Sequence, residues 1–177
     1  MGEKTEASRN VQPTRLDPSF KHEVMKERDG ETLKICFQCG TCTSSCPTAR
    51  FSDSYRPRTV LRMAQLGLRR KALSSPTLWL CTACFTCTDR CPQDVEVASV
   101  LRVLRNIAIR EGQIPPIYAE LASNIYETGY AYKIPEQRQR KRQEVGLPPL
   151  PKPSLDKVDR LIELVGGSKL IKSKEAH

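Results

Sequence analysis

Eight cysteines stand in two groups: Cys36, Cys39, Cys42 and Cys46 in CFQCGTCTSSCP, and Cys81, Cys84, Cys87 and Cys91 in CTACFTCTDRCP. The spacing C-x2-C-x2-C-x3-C-P occurs twice, the second copy 45 residues after the first, and no cysteine is left over. A 4Fe-4S cluster needs four thiolates around a cube, and cysteines two residues apart let one tight loop supply three of them. The fourth cysteine, three residues on and followed by proline, points away from that loop. A tetrahedral zinc ion also accepts C-x2-C pairs, but it requires neither the third cysteine nor the proline. Disulfides fit neither the two-residue gaps nor a reducing compartment. The pattern therefore predicts two 4Fe-4S clusters that use every cysteine as an iron ligand.

Small residues inside the two loops agree with this. Gly40, Thr41, Thr43, Ser44, Thr82, Ala83, Thr86 and Thr88 leave room for a cluster and offer hydroxyls to its sulfurs. Phe37 and Phe85, at or near the same place in their loops, either shield the clusters from water and help set their potentials or simply pack. Other chemistry is sparse. No GxGxxG phosphate loop is present, and the two histidines, His22 and the terminal His177, are expected to be solvent-exposed bystanders. The chain is expected to carry no active site of its own.

The elements that must position these loops read as helices. Ser19 to Arg28 has Phe20 and Val24 one turn apart, with Gly30 as a stop. Pro57 to Leu66 stacks Val60 on Ala64 beside Leu61, and Arg69 to Leu73 leads into the Ser-Ser-Pro turn at 74–76. After the second motif Pro92 suits a first helical turn. From Val97 the residues Leu101, Leu104 and Ala108 form one face, widened by Val100, Val103 and Ile107, and Gly112 ends it. Ile117 to Thr128 reads as another helix closed by Gly129. Residues 130–153 hold five prolines and the run RQRKR, which reads as extended and solvent-facing. A last amphipathic helix starts at Ser154, with Leu155, Val158, Leu161, Ile162 and Val165 on one face. No segment alternates as a strand would, so an all-α fold is predicted. Three parts are expected: a flexible arm over 1–18, a helical two-cluster domain over 19–129, and a proline-rich basic segment with a docking helix over 130–177.

Composition bounds the rest. Among 177 residues, 38% are hydrophobic and 6% aromatic, so the core is thin and the clusters are expected to staple it. No apolar run is long enough to span a bilayer and no apolar signal core precedes the first motif, so a cytoplasmic location without membrane insertion is expected. The formal charge is +9. Lys/Arg excess is a footprint of nucleic-acid binding, but RQRKR at Arg138 to Arg142 lacks interleaved aromatics and no recognition motif accompanies it, so no nucleic-acid partner is expected. Part of the basicity offsets the negative charge of thiolate-bound clusters, and acidic partner surfaces are the better match for what remains.

The helical region between the motifs distinguishes the chain from small bacterial ferredoxins and resembles the α-helical ferredoxin domain. In two-cluster ferredoxins the fourth cysteine of each motif ligates the other cluster. Carried over, this implies Cys36, Cys39, Cys42 and Cys91 around one cluster, and Cys81, Cys84, Cys87 and Cys46 around the other. The strings RPRTVLRMAQLG, SPTLWLCTACFTCTDRCP, VASVLRVLRNIAIREG, YETGYAY and EVGLPPLP together resemble HdrC, the iron-sulfur C subunit of heterodisulfide reductases, over about residues 30–150. The resemblance implies an electron-transfer component of an oxidoreductase complex. It would relay single electrons between the flavoprotein subunit of that complex and its CCG-containing catalytic subunit, which cleaves the coenzyme M–coenzyme B disulfide. A hydrogenase or formate dehydrogenase would belong to the larger assembly. A sulfur-oxidising heterodisulfide-reductase-like complex is the alternative setting. The chain has no CCG sequence, so it would not hold that catalytic site.

Overall fold

The computed structural model describes residues 15–167, and every regular element among them is helical. The helices are α1 (Phe20–Lys26), α2 (Thr41–Ser44), α3 (Pro47–Phe51), α4 (Pro57–Gln65), α5 (Arg69–Leu73), α6 (Thr86–Asp89), α7 (Val97–Arg110), α8 (Pro116–Thr128), α9 (Glu136–Glu144) and α10 (Leu155–Leu164). Two 3₁₀ turns, Glu31–Ile35 and Pro76–Leu80, each run into a cysteine loop. The all-α prediction holds over the described residues. No helix among them is long and apolar enough to cross a membrane.

The chain falls into two compact units, one ending at Ile107 and one beginning at Ala108. In the first, α1 buries Phe20 and Val24, and α4 buries Val60, Leu61 and Ala64. Along α7, Val97, Val100, Leu101, Val103, Leu104 and Ile107 are all buried, as the periodicity predicts. Each such aliphatic side chain contributes roughly 1.5–3 kcal/mol when fully withdrawn from water. Phe20 and Tyr55 are the aromatic side chains among the largest fully buried ones, so the core is chiefly aliphatic. Asp17 closes this unit's N-terminal edge, its N–H donating to the Gly67 carbonyl at 2.8 Å. Residues 1–14 of the expected arm, and His177, lie outside the described residues.

Two sequence expectations are corrected. Pro92 does not open α7, which starts five residues later: the Asp94 N–H closes a turn onto the Cys91 carbonyl, and Asp94 takes a left-handed φ of 52°, which no helix can continue through. The stretch 130–153 is not extended throughout, because 136–144 form α9. Its prolines flank the helix rather than interrupt it, with Pro135 at the N-cap and Pro148 beyond the end. Glu136 in the first turn and Lys141 and Arg142 in the last complement the helix dipole, and Glu136 pairs with Arg140 one turn on. The solvent-facing part of the expectation is met, since α9 buries no residue.

Within the second unit α8 packs against α10. Gly129 ends α8 at φ 72°, and a Cβ there would lie 2.3 Å from Pro153 Cγ, so the segment before α10 passes directly over this turn. The Tyr130 hydroxyl donates to the Pro151 carbonyl, holding the same segment. On α10, Val158 and Ile162 are half-buried, while Leu161, Leu164 and Val165 are exposed.

Candidate metal centre

All eight cysteines are free thiols, and the fold gathers them into two fours. One cavity is lined by Cys36, Cys39, Cys42 and Cys91, together with Gly40, Arg58 and Val95. A second is lined by Cys46, Cys81, Cys84 and Cys87, together with Tyr55, Phe85 and Ala98. Their empty volumes, about 310 and 280 Å³ including the mouths, are nearly equal. Each cavity thus takes three thiols from its own loop and one from the far end of the other motif. Among the described residues no three Cys, His, Asp or Glu side chains converge as ligands of one ion. The thiols instead rim a cavity, as the corners of a cube would require.

Local conformation explains how each loop presents three thiols. Gln38 and Ala83, at matching positions, take φ of 68° and 53°, and Gly40 and Phe85, also matching, take 93° and 61°. Two left-handed residues on either side of the second cysteine fold the chain around its sulfur. A short helix follows each, α2 carrying Cys42 and α6 carrying Cys87, both buried. Cys46 and Cys91 come just beyond these helices, each on the side of the other cavity. Since α2 and α6 pack together, the two cavities adjoin through their inner thiols. The equivalence of Phe37 and Phe85 is corrected: Phe85 corresponds to Gly40, not to Phe37. Both rings are substantially exposed, 61% and 42%, so neither is a core side chain.

The repeat extends beyond the cysteines. The Gln65 amide donates to the carbonyls of Leu33 (3.2 Å) and Cys36 (2.8 Å). Arg105 donates to the corresponding carbonyls of Leu78 (3.0 Å) and Cys81 (2.5 Å). Thr43 accepts the Arg58 N–H at 3.1 Å at the start of α4, and Thr88 accepts the Ala98 N–H at 3.2 Å at the start of α7. Two copies of loop, short helix and long helix are therefore interlocked. The threonine that directly follows each third cysteine is the sequence signal for these helix anchors, a signal that the cysteine pattern alone does not use. Nothing local marks Gln65, Arg105 or Tyr55.

Electrostatics treats the copies alike. Hydrogen bonding with Thr41 holds the Cys39 thiol below its ordinary pKa, and hydrogen bonding with Thr86 does the same at Cys84. The hydroxyls lie 3.4 and 3.5 Å from the sulfurs. Burial pushes the Cys42 thiol up, and pushes Cys87 up to about 12. Further donors reach sulfur: Gln38 Nε2 to Cys36 Sγ and the Ala83 N–H to Cys81 Sγ, both at 3.4 Å, and the Val95 N–H to Cys91 Sγ, also at 3.4 Å. Four soft thiols, small neighbours and N–H donors aimed at sulfur match what a 4Fe-4S cluster demands. Beside the first loop lies an open groove carrying Lys21, Lys34, Arg58 and Arg62 with no carboxylate among its described lining residues. His22 is exposed at the rim of that groove, which also holds Cys36.

Comparison with known proteins points to the same class of cofactor. The family model described as a 4Fe-4S dicluster domain matches residues 32–95. The chain is 35% identical to the C subunit of the H(2):CoB-CoM heterodisulfide,ferredoxin reductase of Methanothermobacter marburgensis, over 88% of this chain and 86% of that protein. It is 34% identical to the iron-sulfur C subunit of the CoB–CoM heterodisulfide reductase of Methanopyrus kandleri, over 88% of each. It is 36% identical to a protein of Archaeoglobus profundus described as like the C subunit of heterodisulfide reductase, over 80% of this chain and 73% of that protein.

Proposed function

The chain belongs to the HdrC family, the iron-sulfur C subunits of heterodisulfide reductases, and from that premise we propose that it relays single electrons through two 4Fe-4S clusters. Cys36, Cys39, Cys42 and Cys91 hold one cluster, and Cys81, Cys84, Cys87 and Cys46 hold the other. The observation that carries this reading is the grouping of thiols from both motifs around each cavity. The clusters supply one-electron redox capacity, and the chain's own residues do the rest. Buried Cys42 and Cys87, on the packed helices α2 and α6, would hold the inner side of each cluster, while exposed Cys39 and Cys84 would hold the side open to a partner.

The ends of the relay follow from the family. Electrons pass between the flavoprotein subunit and the CCG-containing subunit that reduces the coenzyme M–coenzyme B heterodisulfide; the names of the methanogen relatives support the heterodisulfide reductase setting of this relay. The cationic groove beside Cys36 suits an acidic partner surface. The exposed apolar residues Leu161, Leu164 and Val165 suit α10 to docking in the assembled complex. The arm over 1–18 serves the same end, and the relay operates in the cytoplasm.

Anaerobic purification of the full chain tests the cofactor content: about eight irons and eight acid-labile sulfides per chain are expected. One zinc and no sulfide would end the reading. Crossed ligation is tested by Cys91→Ser, which should perturb the spectrum of the cluster that Cys36→Ser also perturbs. Perturbation of the cluster shared with Cys84→Ser would instead show that each motif serves its own cluster.

A further inference from the structure

The two copies of the repeat differ at one buried place. Tyr55 stands two residues before Pro57, the first residue of α4, and Val95 stands two residues before Val97, the first residue of α7. Tyr55 lines the cavity of Cys46, Cys81, Cys84 and Cys87, and Val95 lines the other. These are the same position in the repeat, crossed between cavities as Cys46 and Cys91 are. Both side chains are essentially inaccessible, at 1% and 0% exposure. A buried phenol requires a hydrogen-bond partner, and the polar groups that share this cavity wall with Tyr55 include the Cys81 thiol. The valine side chain at the matched site is hydrocarbon, and what Val95 gives its own cavity is a backbone N–H, donated to Cys91 Sγ at 3.4 Å.

We propose that Tyr55 sets the reduction potential of the cluster held by Cys46, Cys81, Cys84 and Cys87, by donating its hydroxyl hydrogen to the Cys81 sulfur from a side chain itself withdrawn from water. This rests on the two-cluster reading above. A one-electron reduction adds negative charge that spreads onto the sulfurs, so a donor to sulfur stabilises the reduced state more than the oxidised one. Burial strengthens the effect, because no solvent competes for the phenol or screens it. Arg58, at the wall of the first cavity, has no such enclosure, since it also borders the open groove. Tyr55 is therefore a tuning residue, and Val95 marks the cluster that goes without it.

The test is an electron-paramagnetic-resonance redox titration of the full chain loaded with both clusters. Tyr55→Phe keeps the ring and removes the hydroxyl. It should lower one midpoint, that of the cluster perturbed by Cys84→Ser, by about tenfold in the reduction equilibrium, or ~59 mV for one electron. The other midpoint should stay where it is. A ring-fluorinated tyrosine at position 55 has nearly the same shape and is a stronger donor, so it should raise the same midpoint, which gives the sign independently if Tyr55→Phe loads poorly. Midpoints unmoved in both proteins, or both clusters shifted equally, would overturn the proposal while leaving the two-cluster reading intact. A wild-type chain without two clusters would overturn that reading itself.

Discussion

Gln65 and Arg105 perform one task in two copies: each reaches from a long helix to the carbonyl of the first cysteine of a loop and to the carbonyl three residues before it. These bonds hold the chain where it enters each cysteine loop. They are not chemically alike. A guanidinium donates charge-assisted bonds, worth about 1.5–3 kcal/mol each, while a neutral amide contributes about 0.5–1.5. Arg105 also stacks over Trp79, 5.8 Å from the ring centroid.

Truncating Arg105 to Met should therefore loosen the second loop more than Gln65→Leu loosens the first. The expected loss of thermal stability is roughly 2–4 kcal/mol against about 1–2, reflecting the part-buried carbonyls that lose a donor, of which Leu33 keeps the Cys36 N–H. Iron and sulfide analysis should show partial loss confined to one cluster in each variant. Equal loss from both clusters in either protein would mean that the two sites fold as one unit, not as repeats anchored separately.

Thiol chemistry gives a second expectation. In protein stripped of iron under reducing conditions, alkylation followed by mass spectrometry should label Cys39 and Cys84 first. They are exposed, and their thiols are held below the ordinary value by hydrogen bonding. Cys42 and Cys87 should be last. Cys87 titrates near 12 against an ordinary 9.0 because of burial, so between these values an unfolded chain ionises while the folded one keeps its proton. Its contribution to the stripped protein's stability is complete below pH 9 and is lost as pH rises toward 12. Equal labelling at all eight positions would mean that the loops do not keep this shape without clusters.

How much of this the sequence displays varies by element, for physical reasons. The cysteines are legible as candidate ligands because iron-sulfur ligation imposes fixed spacing, and the structure brings them to the walls of two cavities. The buried face of α7 is legible because a long helix against a core must repeat its apolar residues. Gln65 and Arg105 are not, since a side chain that reaches a carbonyl more than twenty residues away leaves no local pattern. Phe37 and Phe85 look equivalent as aromatic residues in similar loops, yet the backbone conformation pairs Phe85 with Gly40. Helix α9 is hidden when prolines are counted without regard to register: at Pro135 and Pro148 they bound a helix, and only inside one would they break it.

A third prediction concerns Arg69. Its guanidinium meets both oxygens of Glu23 at 2.5 and 3.2 Å, reaches Asp17 at 3.4 Å, and lies 5.0 Å from the Phe20 ring centroid. The pair ties α5 to α1, but both side chains are about one-third exposed, so water discounts it. A double-mutant cycle with Arg69→Met and Glu23→Gln should return a coupling of about 1 kcal/mol, smaller in high salt. A coupling that does not respond to salt would show that stacking on Phe20, not charge, carries the contact.

The last prediction separates steric fit from backbone strain at glycine. Gly67 and Gly112 have nearly the same left-handed φ, 71° and 74°, but different surroundings. A Cβ on Gly67 would lie 2.2 Å from the Asp17 carbonyl oxygen and 2.7 Å from its carbon, and both are backbone atoms that cannot swing away. A Cβ on Gly112 would meet nothing within 4 Å. Gly112→Ala should therefore cost only the conformational penalty, about 1–2 kcal/mol. Gly67→Ala should add an overpacking cost of roughly 1–3 kcal/mol and break the Asp17–Gly67 backbone bond, at about another 1. Thermal or denaturant melts of the cluster-loaded chain measure both. Similar losses in the two variants would show that the segment at Asp17 yields freely, so that its pairing with Gly67 does not hold the N-terminal edge of the first unit in place.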